Sequence, residues 1–358
     1  MNARIAIFLA ALVVFVAAAY LELKPVGPAD FEPGKTAAAK DAPGTPRIAA
    51  LAPGAAPAPR AAAGRTHPAP VRATLFNEYL RTKAYRALYD RLRSSPEGAT
   101  PEGLYVTYDI LRKCAKVTDR PYRWRARQQK SPEQAREEFL AALPPDDPLR
   151  DKRIAAFEGA SVNRCVGFDD VTVTQADLDK LLSASASAGD PKAKAATIEQ
   201  EVWQARRSGQ WRTATLSDTQ ISTLEQAIGT RDPEAMVMAG RLLSNTWPDI
   251  TLRLGSDSQA VEPHAFYDAW QVLACDYGYP CGADNQRMLD ECAYNAHCDA
   301  TSLPEFLSYY TSSPHDMQLV SQYEAVLRGA IENGDWSRLV VTRGAKMPGT
   351  GYVFGHGG

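Results

Sequence analysis

The chain has 358 residues, 45% of them hydrophobic and 23% charged, with 40 Lys and Arg against 42 Asp and Glu. That apolar share belongs to a folded protein and excludes a disordered one. A formal net charge of -2 excludes a protein built to coat nucleic acid, which would be strongly basic.

Met1-Asn2-Ala3-Arg4 precedes an unbroken apolar run from Ile5 to Leu21, closed by Glu22, Leu23, Lys24 and Pro25. One positive residue ahead of such a run is the pattern of an export signal. As a helix the run reaches about 25 Å, near the lower limit for crossing a bilayer. Residues 1–24 therefore read in two ways. They form a signal peptide cut near Ala17-Ala18-Ala19, or an uncleaved membrane anchor with Arg4 on the cytoplasmic side. The lack of a helix breaker before the alanines favours the anchor. Both readings export the rest of the chain to the periplasm or cell envelope, tethered to the inner membrane in the second case.

Residues 25–73 contain 16 alanines, 10 prolines and 5 glycines. Such a stretch cannot pack a core, and its prolines stiffen it toward polyproline II. It reads as a disordered linker of about 40 Å root-mean-square reach when flexible.

From Thr74 the pattern is helical. Leu75, Tyr79, Tyr85, Leu88 and Leu92 recur at helical spacing. Period-2 alternation is confined to Val171 and Val173 and to Tyr105 through Tyr108. Helix starts share one chemistry: Ser131-Pro132-Glu133-Gln134 is a capping sequence with proline at the first helical position, and Asp147-Pro148, Asp190-Pro191 and Asp232-Pro233 pair an Asp cap with proline. Within the N-terminal helical region 74–182, the segment 112–130 carries eight basic residues and one acid. Arg120, Tyr122, Arg123, Trp124, Arg125 and Arg127 alternate cations with aromatics, a surface suited to an anionic envelope ligand through charge and stacking. Residues 74–153 sum to +5 and residues 154–358 to -11, so the chain is electrically lopsided.

In residues 183–345, SASAGDPKAKA (185–195) has a counterpart in AIGTRDPEAMVMAG (227–240), with Asp190 and Asp232 standing 42 residues apart. AIENGDW (330–336) is a weaker echo. The string DPEAMVMAGRLLSN (232–245) resembles the first helix of a Sel1-like repeat, with Ala235, Ala239 and Gly240 where helices would pack closely. AFYDAWQVLACDYG (265–278) stands where a following helix belongs. The resemblance to Sel1-like or tetratricopeptide-type repeats spans about 183–340. It implies stacked helix pairs and, by analogy, protein–protein binding.

Six cysteines in an exported chain point to disulfides. Cys114 and Cys165 are left to pair with each other. Cys275, Cys281, Cys292 and Cys298 belong to CDYGYPC and CAYNAHC, which share one template with Gly278 or Asn295 at the place where a helix would end in the left-handed conformation. Local closure (275–281, 292–298) and ladder closure (275–292, 281–298) both fit, and the shared template favours local closure. Zinc on Cys281, Cys292, His297 and Cys298 is a poor fit, because the spacing exceeds a zinc knuckle and adjacent His297-Cys298 strains one tetrahedron. Residues 346–358 read as a flexible Gly-rich tail.

No nucleophile elbow, paired-His metal motif, phosphate loop or dinucleotide fingerprint occurs, so no catalytic residue, metal or cofactor is assigned. The acid pairs Asp169-Asp170 and Asp290-Glu291 carry no mark of burial. The expected fold is all-α: an irregular repeat-like array of helix pairs with disulfide staples, preceded by the apolar helix and the linker. The expected role is that of a protein-interaction or scaffold module. The alternative is an envelope hydrolase working through carboxylates that sequence alone does not identify.

Overall fold

A computed structural model describes residues 75–119, 131–160, 163–210, 213–255 and 260–344, and over these the chain is mostly helical. All of them belong to one compact unit, Gly64–Gly358. The apolar run of 1–24, the linker of 25–73 and the tail of 346–358 lie outside the described residues.

Capping chemistry sets most of the helix starts. The expected stripe from Leu75 to Leu92 is buried, split between α1 (Leu75–Arg81) and α2 (Tyr85–Ser94). Thr100 caps α3 (Pro101–Cys114) by accepting from the Gly103 amide at 3.0 Å. Ser131 and Gln134 form the anticipated reciprocal box at α4 (Pro132–Ala142). Helix α5 (Arg150–Gly159) begins later than Asp147-Pro148 implies. The Asp147 carboxylate instead accepts from the Leu149 amide at 2.8 Å and from Arg153 at 2.6 Å, which makes a turn of that segment.

Next come α6 (Gln175–Ser187), α7 (Pro191–Ala205), α8 (Asp218–Gly229) and α9 (Pro233–Leu243). Asp190 and Asp232 cap α7 and α9 as expected, accepting from the Ala193 amide at 2.8 Å and the Ala235 amide at 2.9 Å. The described chain continues through α10 (Pro263–Asp276), α11 (Gln286–Asn295), α12 (Leu303–Phe306) and α13 (Pro314–Asn333). Helix α6 packs on α3 and α7, α7 on α8 and α9, α9 on α10, and α10 on α13.

The expectation of no strands beyond Val171 and Val173 and Tyr105 through Tyr108 needs correction. Strand β1 (Lys116–Val117) pairs in parallel with β2 (Thr172–Val173). A longer antiparallel ribbon joins β3 (Ile250–Leu254) to β4 (Leu339–Arg343), with Ile250 opposite Arg343 and Leu254 opposite Leu339. Tyr105 through Tyr108, read as a possible strand, lie inside α3, where Tyr105, Val106 and Tyr108 are all buried.

The principal core runs from Leu75 to Leu339. One close approach in it is the α9–α10 contact: a Cβ on Gly240 would come within 2.4 Å of the Trp270 side chain, and Trp270 is fully buried. Only glycine permits that approach. Ala235 and Ala239 are likewise buried, so all three small residues sit where helices meet. A second cluster joins α4 and α5 to α11 through Phe139, Phe157, Cys292 and Ala293, with the two Phe rings stacked at 4.2 Å. Arg153 fastens this contact by donating to the carbonyls of Ala293 and Tyr294 at the end of α11.

The cysteines close as Cys114–Cys165, Cys275–Cys281 and Cys292–Cys298, which selects local over ladder closure. Gly278 takes the left-handed conformation at φ 100°, as its place in the template suggests. In the second loop the left-handed residue is Ala296, not Asn295. Asn295 completes the helix, and its side-chain amide turns back to Glu291 at 2.8 Å. Three disulfides are compatible with an oxidising location. Among the described residues, no helix is long and apolar enough to cross a membrane.

Candidate functional site

Helices α7 and α9 run side by side and touch at three levels, seven residues apart on α7: Lys192 meets Asp232, Glu199 meets Arg241, and Arg206 meets Trp247. The first level is closed. Lys192 is buried, with 3% of its side chain exposed, and its ammonium contacts Asp232 at 2.9 Å, Asp190 at 3.2 Å and Glu102 at 3.5 Å. It also lies 5.2 Å from the Phe76 ring centroid and 5.8 Å from that of Tyr105. The starts of α3, α7 and α9 thus gather on one cation. Burial opposes its charge, but Asp232 and Asp190 hold Lys192 above the ordinary lysine value. An open cleft of about 550 Å³ borders this end, lined by Leu75, Glu97, Pro101, Glu102, Asp190 and Lys192. Its one buried cation is already matched by carboxylates, so the cleft offers a ligand no uncompensated cation.

Beyond the first level the polar groups are less complete. On α3, Asp109 is buried and accepts from Tyr79 Oη at 2.5 Å, from Arg112 Nη2 at 2.6 Å and from Lys113 Nζ at 2.9 Å. Burial alone would raise its carboxyl; Lys113 and Arg112 outweigh that and hold it well below the usual carboxylate range. Opposite, in the first turn of α9, burial pushes the Glu234 carboxyl up to about 7, with Asp109 adding to the rise. Glu234 Oε2 is sealed from solvent and finds no hydrogen-bond partner.

Glu234 interacts electrostatically with Asp109, Lys113 and Arg241, and the phenols of Tyr267 and Tyr279 interact with both Glu234 and Arg241. These shared fields gather the groups into one polar cluster drawn from α3, α9, α10 and the turn stapled by Cys275–Cys281. Burial raises both phenols. Arg112 and Arg241 each keep 47% of the side chain exposed while being anchored on Asp109 and Glu199. An exposed guanidinium held in place by a carboxylate behind it is suited to a planar anionic group in front, because little freedom is lost on binding.

The aromatic–basic set proposed from sequence, Arg120, Tyr122, Arg123, Trp124, Arg125 and Arg127, lies outside the described residues. Of the acid pairs, Asp170 is engaged by Arg86, and Glu291 is 3.1 Å from His297. Asp290, expected on a solvated face, is desolvated, which raises its carboxyl, and it accepts from Gln286 at 3.0 Å. Because the sulfurs of Cys281, Cys292 and Cys298 are all in disulfides, the zinc alternative loses its thiolates. Among the described residues, no group of three or more His, Cys, Asp or Glu could hold a metal ion.

Sequence reasoning missed Glu234 and Arg241, although a signal was present. They are the only charged residues in α9, and their spacing of seven puts both on one face of an otherwise apolar helix. Tyr267 and Tyr279 carry no such mark. No protein-family model, curated protein or solved structure matches the chain.

Proposed function

We propose that this protein is an exported helical binding module, held near the inner membrane by its N-terminal apolar run, that grips an acidic segment of a partner protein in a recess at the polar cluster of α3, α9 and α10. The observation that carries the reading is the pair of anchored, half-exposed guanidiniums of Arg112 and Arg241, the second of which interacts with the phenols of Tyr267 and Tyr279. Arginine and tyrosine are the residue types that concentrate binding energy at interfaces. The three disulfides support residence in an oxidising compartment, and the Asp-capped starts of α7 and α9, meeting on Lys192, support a stacked-pair reading of the Sel1-like resemblance.

A second reading, hydrolysis, draws support from one group. Glu234 near 7 has the character of a general acid. Asp109, which adds to that rise, is occupied by Tyr79, Arg112 and Lys113 and so is not free to activate water. Binding therefore stands ahead of hydrolysis.

The test is capture from detergent-solubilised membranes by the full chain and by Arg241→Glu. The proposal expects a partner retained by the wild type and lost from the variant at unchanged melting temperature. A partner retained equally by both contradicts the recess as its seat.

A further inference from the structure

The third level of the α7–α9 seam is built unlike the other two. Where α7 ends, the Arg206 guanidinium carbon lies 5.3 Å from the Trp203 ring centroid and 4.8 Å from that of Trp247. Trp247 is fixed: its indole N–H donates to the Leu242 carbonyl at 3.1 Å, and the ring is buried. Trp203 is open, with 42% of its surface exposed. Arg206 has no ion-pair or hydrogen-bond partner among the described residues, and its Nε is sealed from solvent without an acceptor. No neighbouring charge offsets its desolvation, which weakens its charged form.

A partly desolvated guanidinium without a counter-charge is costly unless something supplies the anion. Arg241 and Lys192, one and two levels back along the same seam, each have theirs. The two tryptophan rings flank the guanidinium, and its hydrogen-bonding edge is unused. Beside it, the exposed Trp203 indole presents a flat apolar surface with a negative face, complementary to the C–H-bearing face of a pyranose ring.

We propose that Trp203 and Arg206 form a binding subsite for an acidic sugar, with the ring lying on the Trp203 indole and its carboxylate paired to Arg206. An acidic peptide offers the carboxylate but no rigid flat face for Trp203. A neutral sugar offers the face but leaves Arg206 uncompensated. Both elements of the site are used only by a ligand that joins them in one unit. The site is independent of the recess around Arg241.

The test is titration of the full chain, followed by calorimetry, with a glucuronic acid oligosaccharide, a glucose oligosaccharide of equal length and an oligoglutamate peptide. The proposal expects the uronic acid oligosaccharide to bind at least tenfold more tightly than either control. Arg206→Ala and Trp203→Ala should each weaken it at least tenfold. Arg206→Lys, which keeps the charge but loses the planar fork, should weaken it by a smaller factor, whereas Arg241→Glu should leave it within twofold. Trp203 is exposed, so its variant folds and reports on binding alone. No binding of the uronic acid oligosaccharide, equal or tighter binding of either control, or a Trp203→Ala variant that binds like the wild type would overturn the proposal.

Discussion

The two ends of the α7–α9 seam use the same residue types for different ends. At the start, Lys192 is buried and surrounded by Asp190, Asp232 and Glu102. Farther along, Arg241 has one carboxylate and stands half in solvent, and Arg206 has none. A polar network that is saturated and enclosed locks helices together, and its cost is already met within the fold. A network left incomplete at the surface has bonding capacity to give to something else. Charge content does not separate the locked groups from the incompletely paired ones here; the number of unmet partners does.

That comparison can be broken by mutation. Lys192→Met removes the only cation among three gathered carboxylates and should cost about 3–5 kcal/mol in urea unfolding, the range for breaking a buried pair. Arg241→Ala should cost about 1 kcal/mol or less, because the pair it breaks is half-exposed. Equal losses would erase the distinction between the two ends.

The staples should rank in the same direction as their loops. Replacing Cys114 and Cys165 together by Ser opens a separation of 51 residues, and the chain-entropy treatment gives about 4 kcal/mol for it. The Cys275–Cys281 loop, with a separation of 6, should lose about 2 kcal/mol by the same relation. Thermal unfolding of the two double variants measures the difference. Gly240→Ala should cost about 1–3 kcal/mol by overpacking against Trp270, read as a fall in urea midpoint at unchanged slope.

A further effect is pH-dependent. Glu234 is pushed up from an ordinary 4.5 to about 7 in the folded protein. Its contribution is therefore fully present below about pH 4.5 and is lost as pH rises through about 7, since the folded state must then ionise a desolvated carboxyl. Glu234→Gln should flatten the stability profile across that window and be more stable than wild type at pH 8 by about 3 kcal/mol. A profile that keeps its slope in the variant would assign the titration elsewhere.

How much of this could be read from the sequence depended on how local the determining physics is. Caps at Ser131, Asp190 and Asp232 are set within four residues, and they were legible. Local closure of the two short cysteine loops was favoured by the repeated template but not decided by it, since ladder closure fits the same spacing. The β3–β4 ribbon was not legible, since each strand is only five residues and its partner lies far along the chain. Lys192 carries no local sign of burial: in an Ala-rich first turn it reads as a surface lysine, and only the approach of α3 and α9 encloses it. The polar cluster was hidden for the same reason, being assembled from Asp109, Glu234, Tyr267 and Tyr279 on separate segments.

Position-specific photo-crosslinking tests the account most directly. A photoreactive residue is placed in the full chain either at Tyr267, beside the recess, or at Glu97, on the cleft at the saturated Lys192 end, and cells are irradiated. The account predicts partner adducts from position 267, abolished by Arg241→Glu, and none from position 97. Adducts from position 97 alone, or adducts from position 267 that survive Arg241→Glu, would contradict it.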